Sequence, residues 1–120
     1  MDEGKPLFVQ IAEMVEDQIV DGSLAEEEKA PSTNEIASFS RINPATAAKG
    51  VNMLVEKGVL YKRRGIGMFV SPGAREQLLA ERRAAFANAY VAPLIDEARK
   101  LGLTPDDVAQ LISEHATPSP

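Results

Sequence analysis

The spacing of apolar residues divides the chain into short helices interrupted by one pair of strands. Ile11, Met14, Val15 and Ile19 recur at intervals of three and four, so residues 6–21 read as a helix with one apolar stripe. Pro6 suits its first turn and Gly22 its end. Glu13, Glu16, Asp17 and Asp21 fall mostly elsewhere and are expected on a solvated face. Residues 31–35, Pro-Ser-Thr-Asn-Glu, open a second helix with a reciprocal Ser32–Glu35 capping box, and Ile36, Ala37 and Phe39 supply its apolar segment. After a turn at 40–43, Asn43 caps a third helix with Pro44 at its first position. Residues 44–57 then bury Ala47, Gly50, Val51 and Leu54, a stripe at i, i+3, i+4 and i+7. Gly50 costs about 1 kcal/mol relative to alanine in a helix interior, which implies close approach by the preceding helix. Beyond Gly58, residues 59–63 and 68–70 read as strands joined by a tight reversal at 64–67. Two short helices followed by a hairpin, over 30–70, are the layout of a winged helix-turn-helix, with the helix before them as support.

Charge changes the picture by its placement. The formal net charge of -5 would argue against a nucleic-acid partner. Residues 1–30, however, hold nine acids against Lys5 and Lys29, while residues 31–71 hold only Glu35 and Glu56 against Arg41, Lys49, Lys57, Lys62, Arg63 and Arg64. A basic face on an acidic protein can still engage phosphates. On the third helix the face opposite the core offers Ala45, Thr46, Ala48, Lys49 and Asn52, with no bulky group to hold it away from a groove floor. Thr46 and Lys49 can bond base edges or phosphates, and the alanines can touch thymine methyls. The Ser32 and Thr33 hydroxyls, beside the free amides of a helix start, suit a phosphate oxygen. Lys62, Arg63 and Arg64 flank the hairpin tip, where Gly65 and Gly67 permit close backbone approach.

Other chemistry finds little support. The run Glu26-Glu27-Glu28 reads as a solvated loop, because neighbours in sequence rarely converge on a cation. Gly65-Ile66-Gly67 is too short for a dinucleotide fingerprint. There is no cysteine, and His115, the single histidine, lies near a helix end and is expected to be exposed. No nucleophile with a base, metal cluster or phosphate loop stands out, so neither enzyme nor cofactor is expected. No apolar run reaches the roughly 20 residues of a membrane span, and the first residues lack a basic stretch with a long apolar run; a cytoplasmic protein is expected.

The segments PLFVQI, APSTNEIA, NPATAAKGVNMLVEKGVL and KRRGIGMFV together resemble the GntR family of bacterial transcription regulators over residues 6–71, and the short remainder resembles its YtrA-type subfamily. The resemblance implies that the segment at Pro31-Ser32 opens the second helix. It places Ala45, Thr46 and Lys49 on a recognition helix and makes the Arg-Gly-Xaa-Gly-Xaa-Phe-Val segment a wing. The family commonly has arginine where this chain has Asn34, and a Ser-Arg start to the recognition helix where this chain has Asn43-Pro44. Arg41 and Lys49 are placed to supply some of that charge.

Past Pro72-Gly73 the chain changes character. Residues 74–101 are strong helix formers with a nearly heptad-spaced seam of Leu78, Leu79, Phe86, Tyr90, Leu94, Ala98 and Leu101. Pro93 predicts a kink or break near 89–92. Gly102 ends the helix, and 104–107 restart one carrying Val108, Leu111 and Ile112. Two helices have no third element to cover such a seam, so burial against a second subunit is expected.

The expected fold is therefore mainly α with a small β-hairpin: a winged helix-turn-helix over 1–72, a two-helix dimerisation appendage over 73–115 and a disordered tail at 116–120. The expected function is that of a homodimeric regulator, a repressor before an activator, on an inverted-repeat DNA operator, with an effector left open. The DNA-binding candidates are Ser32, Thr33, Asn34, Arg41, Asn43, Ala45, Thr46, Lys49, Lys62, Arg63, Arg64, Gly65 and Gly67. The dimer candidates are Leu79, Phe86, Tyr90, Leu94, Leu101 and Leu111. A winged-helix protein-interaction module without direct DNA readout is the alternative.

Overall fold

The computed structural model describes residues 4–116. The chain gathers into two compact units that divide between Ala80 and Glu81. The first unit holds α1 (Leu7–Asp21), α2 (Thr33–Ser40), α3 (Pro44–Glu56), the hairpin strands β1 (Leu60–Arg63) and β2 (Gly67–Val70), and the opening turns of α4 (Ala74–Phe86). Residues through Ala80 belong to this unit because Ala74 and Leu78 are buried in its core, so Leu78 joins the winged fold rather than the downstream seam. The core also takes Ile11, Val15 and Ile19 from α1, Ile36 and Ala37 from α2, and Ala47, Val51 and Leu54 from α3, with Leu60 and Val70 closing it from the hairpin. Burying each of the isoleucine, valine and leucine side chains contributes about 1.5–3 kcal/mol, and each alanine less.

Three details depart from the sequence expectation. Glu16 is 8% exposed rather than solvated. It accepts a hydrogen bond from Lys57 Nζ at 2.6 Å, an ion pair that ties α1 to the end of α3. Phe39 is 84% exposed, because the eight-residue α2 buries only Ile36 and Ala37. Gly50 is approached by α1 and not by α2: a Cβ there would lie 2.6 Å from the Phe8 carbonyl oxygen and 3.0 Å from Ile11 Cγ2. The glycine thus lets α3 seat directly on the α1 backbone.

The strands pair antiparallel with Leu60 opposite Val70, Tyr61 opposite Phe69, Lys62 opposite Met68 and Arg63 opposite Gly67. The loop 26–30 joins them. Glu27 N donates to Val70 O at 2.8 Å, Val70 N to Glu28 O at 3.0 Å and Ala30 N to Met68 O at 2.8 Å, with a bridge between Lys29 and Phe69. The acidic run is therefore the approach to a short third strand beside β2, not a loose connection.

The second unit contains the end of α4, a π-helical turn at Ala87–Val91, α5 (Ala92–Lys100) and α6 (Pro105–Ala116). The π turn has a local cause. Pro93 has no amide to donate and its ring crowds the carbonyl four residues earlier, and the preceding turn widens so that Ala92 N bonds Ala87 O. Gly102, at φ +73°, turns the chain, and Thr104 and Asp107 form a reciprocal cap on α6: Asp107 N to Thr104 Oγ1 is 3.1 Å and Thr104 N to Asp107 Oδ2 is 2.9 Å. Ala116 is the last residue of α6, and the tail expected at 117–120 lies outside the described residues. No helix among the described residues is long and apolar enough to cross a membrane.

Candidate nucleic-acid interface

Two helix starts are fixed by their own sequence. Ser32 Oγ accepts from Glu35 N at 3.0 Å while Ser32 N donates to Glu35 Oε1 at 2.9 Å, which completes the capping box. Those bonds hold the Glu35 carboxyl below the usual carboxylate range, chiefly through the Ser32 amide and with help from the Lys29 charge. The amides of Thr33 and Asn34, in the first turn, have no intrahelical acceptor. Asn34 is exposed and Thr33 half-buried. At α3, Asn43 Oδ1 accepts from Ala45 N at 2.7 Å, so the oxygen of this candidate caps the helix and its amide nitrogen remains to face outward.

Between the two helices Arg41 adopts φ +56°, one of two non-glycine residues with positive φ among those described, the other being Glu27. Such a backbone costs on the order of 1 kcal/mol for a side chain with a Cβ. The strain places an exposed guanidinium in the turn that leads to α3.

With Ala47, Gly50, Val51 and Leu54 buried, the ridge left outward on α3 is Ala45, Lys49, Asn52 and Glu56, with Thr46 and Ala48 half-buried on its flanks. Lys49 Nζ lies 4.0 Å from the Phe8 ring centroid, which steadies it at the edge of this ridge. Asn52 lies on the ridge itself and Thr46 on its flank, places that their helical spacing from Ala45 and Lys49 makes legible.

The hairpin divides its cations. Successive strand residues point to opposite faces, so Lys62 shares a face with Leu60, Met68 and Val70, while Arg63 shares the outer face with Tyr61, Gly67 and Phe69. The Arg63 guanidinium carbon sits 4.9 Å from the Phe69 ring centroid. Tyr61 packs against Phe69 at 6.0 Å and donates its hydroxyl proton to Glu27 at 2.7 Å, which raises the phenol above its ordinary range. Arg64 lies in the turn, where Gly65 takes φ +77° and Ile66 N bonds Arg63 O at 2.9 Å. The three consecutive cations therefore point in different directions. Gly67 takes φ +144°, a backbone that favours glycine, and the flexible end of Lys29 lies over it, with Cε 2.9 Å from where a Cβ would stand. Lys29, which the sequence offered only as part of an acidic loop, thus belongs to the hairpin's outer face.

In the second unit, Phe86, Tyr90, Leu94, Leu101 and Leu111 are exposed, with Tyr90 and Leu101 at 67% and 65%. The rings of Phe86 and Tyr90 lie 5.5 Å apart across the π turn. A groove of about 340 Å³ runs between α5 and α6, lined by Leu94, Ala98, Leu101, Leu111 and Ile112 among others. Leu79, the remaining dimer candidate, is half-buried in the first unit. His115 Nδ1 is 2.9 Å from Leu111 O, within its own helix.

A three-helix core carrying a paired hairpin, with two capped helices separated by a tight turn, defines a winged helix-turn-helix regulator of transcription. The family model for the GntR family of bacterial regulatory proteins matches residues 7–70, and the chain belongs to that family. It is 26% identical over 106 residues to the HTH-type transcriptional regulator YhcF of Bacillus subtilis, covering 88% of this chain and 86% of that one. It is likewise 26% identical to the HTH-type transcriptional repressor YtrA of the same organism, over 91% of this chain and 83% of the relative. A GntR-family transcriptional regulator from Bacteroides thetaiotaomicron superposes with a TM-score of 0.76 at 28% identity, covering 92% and 96% of the two chains. AraR(DBD) in complex with operator ORX1 superposes with a TM-score of 0.54 at 29% identity, over 59% of this chain and 87% of that one. The family and these relatives are transcriptional regulators, and the AraR(DBD) neighbour is bound to operator DNA.

Proposed function

We propose that the protein is a homodimeric, cytoplasmic transcriptional repressor that reads an inverted-repeat operator. The α3 ridge of Ala45, Thr46, Lys49 and Asn52 enters the major groove. The α2 start with Ser32, Thr33 and Asn34, the turn with Arg41, and the hairpin with Lys62, Arg63, Arg64 and the Gly65 and Gly67 backbone hold the flanking phosphates. The observation that carries this reading is the alanine-lined outer ridge of α3 beside a cationic hairpin. It is supported by the operator complex of AraR(DBD), whose fold overlaps this unit, and by the repressor designation of YtrA.

Division of labour follows from residue type. Alanine, threonine and asparagine give short apolar and polar contacts that specify bases, and the cations supply affinity that does not depend on sequence. Dimerisation through Phe86, Tyr90, Leu94, Leu101 and Leu111, and through Leu79 of the first unit, buries apolar surface, most of which one chain leaves exposed. It also sets two α3 helices over related half-sites. Any small effector would act through this dimer region. The test is a salt titration of DNA binding: Arg63→Ala with Arg64→Ala weakens binding to every duplex and flattens the salt dependence, whereas Thr46 or Lys49 substitutions change which sequence a randomised-operator selection recovers. An unchanged salt slope in the double variant refutes the hairpin's role.

A further inference from the structure

The outer face of the hairpin carries one group that neither the family match nor the helix-turn-helix layout assigns. Lys29 sits on the third strand, bridged to Phe69, and residues directly opposite one another on paired strands share a face. Lys29, Phe69 and Tyr61 therefore form one row across the three strands, and Arg63 and Gly67 form the next. The Lys29 stem crosses from its own row onto the second. A Cβ on Gly67 would lie 2.9 Å from Lys29 Cε and 3.7 Å from Nζ. Arg63 starts directly opposite Gly67 and carries its guanidinium to the Phe69 ring, on the same face.

Two cations from the two outer strands thus share one face, around Gly67 and the Phe69 ring. Of the neighbouring carboxylates, Glu27 is bonded to the Tyr61 hydroxyl on this same face, and Glu35, bonded to the Ser32 amide, is within electrostatic reach of Lys29. The Lys29 stem itself covers Gly67, so a phosphate oxygen would meet the Lys29 ammonium and the Arg63 guanidinium rather than the glycine backbone.

The geometry points to Lys29 as a DNA-contacting residue that, with Arg63, clasps a single backbone phosphate across Gly67. This rests on the DNA-binding reading above and adds to it a third strand that shares the phosphate contact. Phosphate contacts do not depend on sequence, so the probe is a random-sequence duplex of about 30 base pairs titrated across a salt series with the full chain. Lys29→Gln should lower the magnitude of the log–log salt slope by less than the roughly 0.9 per bound subunit that losing both cations from the phosphate would remove. Lys29→Arg, which keeps the charge, should retain the slope. Lys29→Gln with Arg63→Gln should lose less affinity than the two single changes combined, because both groups hold one phosphate. If Lys29→Gln keeps the wild-type slope while Arg63→Gln lowers it, the clasp is wrong and the hairpin's role stands. If both single variants keep the slope, the outer face does not meet DNA. If the unaltered chain binds no duplex, the DNA-binding reading itself fails. The Lys29 side chain is exposed and its strand is held by backbone bonds, so the variants should keep the wild-type melting curve, which circular dichroism checks.

Discussion

Replacing Gly50 by alanine sets two physical effects against each other. Helix propensity favours alanine by about 1 kcal/mol at an interior position. The structure opposes it, because the new Cβ would stand 2.6 Å from the Phe8 carbonyl oxygen and 3.0 Å from Ile11 Cγ2. A backbone oxygen cannot rotate aside. Restoring an ordinary contact near 3.4 Å requires α1 to retreat from α3 by roughly 0.8 Å. That retreat loosens the layer where Ile11, Val15 and Ile19 meet Ala47, Val51 and Leu54, all now buried. Gaps of this size forfeit about a quarter to a half of each dispersion contact, and overpacking of rigid cores costs about 1–3 kcal/mol. With the clash on main chain the cost falls at the upper end, and after the propensity gain the net loss is about 2 kcal/mol. Tm should fall by about 10 °C for a unit of this size. Thermal and urea denaturation at one fixed protein concentration measure it, since the proposed dimerisation would make Tm depend on concentration. A variant as stable as the parent, or more stable, would refute the argument that close approach by α1 is why glycine stands there.

Three other substitutions test separate parts of the structure. Arg41→Gly relieves a left-handed backbone and should leave stability unchanged or up to about 1 kcal/mol higher, while weakening DNA binding; a loss of stability would contradict it. Glu16→Ala removes the acceptor for Lys57 from a site 8% exposed and should cost about 1–3 kcal/mol in urea denaturation, where a solvated glutamate would cost nothing measurable. Glu35 has its carboxyl lowered in the folded protein, so its contribution is fully present above the ordinary value of 4.5 and is lost as pH falls through the lowered folded value. Glu35→Ala should therefore destabilise near neutral pH and flatten the acid limb of a stability–pH curve, and an unaltered limb would count against the cap.

Features governed by adjacent residues were legible in the chain itself. The Ser32–Glu35 box, the Asn43-Pro44 start and the Thr104–Asp107 cap need only three or four consecutive positions to be specified. Features made by distant partners were not. Glu16 looked solvated because its partner lies 41 residues away, and Gly50 announced a close neighbour expected in the preceding helix, where α1 supplies it instead. Lys29 was hidden in an acidic run because strand pairing with Phe69 is a long-range event. The split of Lys62 from Arg63 was available in the strand's period of two, with buried Leu60 as the phase marker, but the three adjacent cations drew attention to their number and not to their alternation. Phe39 misled for the opposite reason: its apolar side chain suggested burial that a helix as short as α2 cannot provide.

The central claim is that two subunits present α3 and the hairpin to related half-sites of DNA. Its most direct test is selection of duplexes bound by the full chain from a random pool, followed by the mass of the complex on a recovered sequence. The account predicts an inverted repeat with half-site centres about one helical turn apart or a multiple of it, roughly 34–36 Å per turn, and two chains per duplex. Recovery of one isolated half-site bound by one chain, or no enrichment at all, would contradict it.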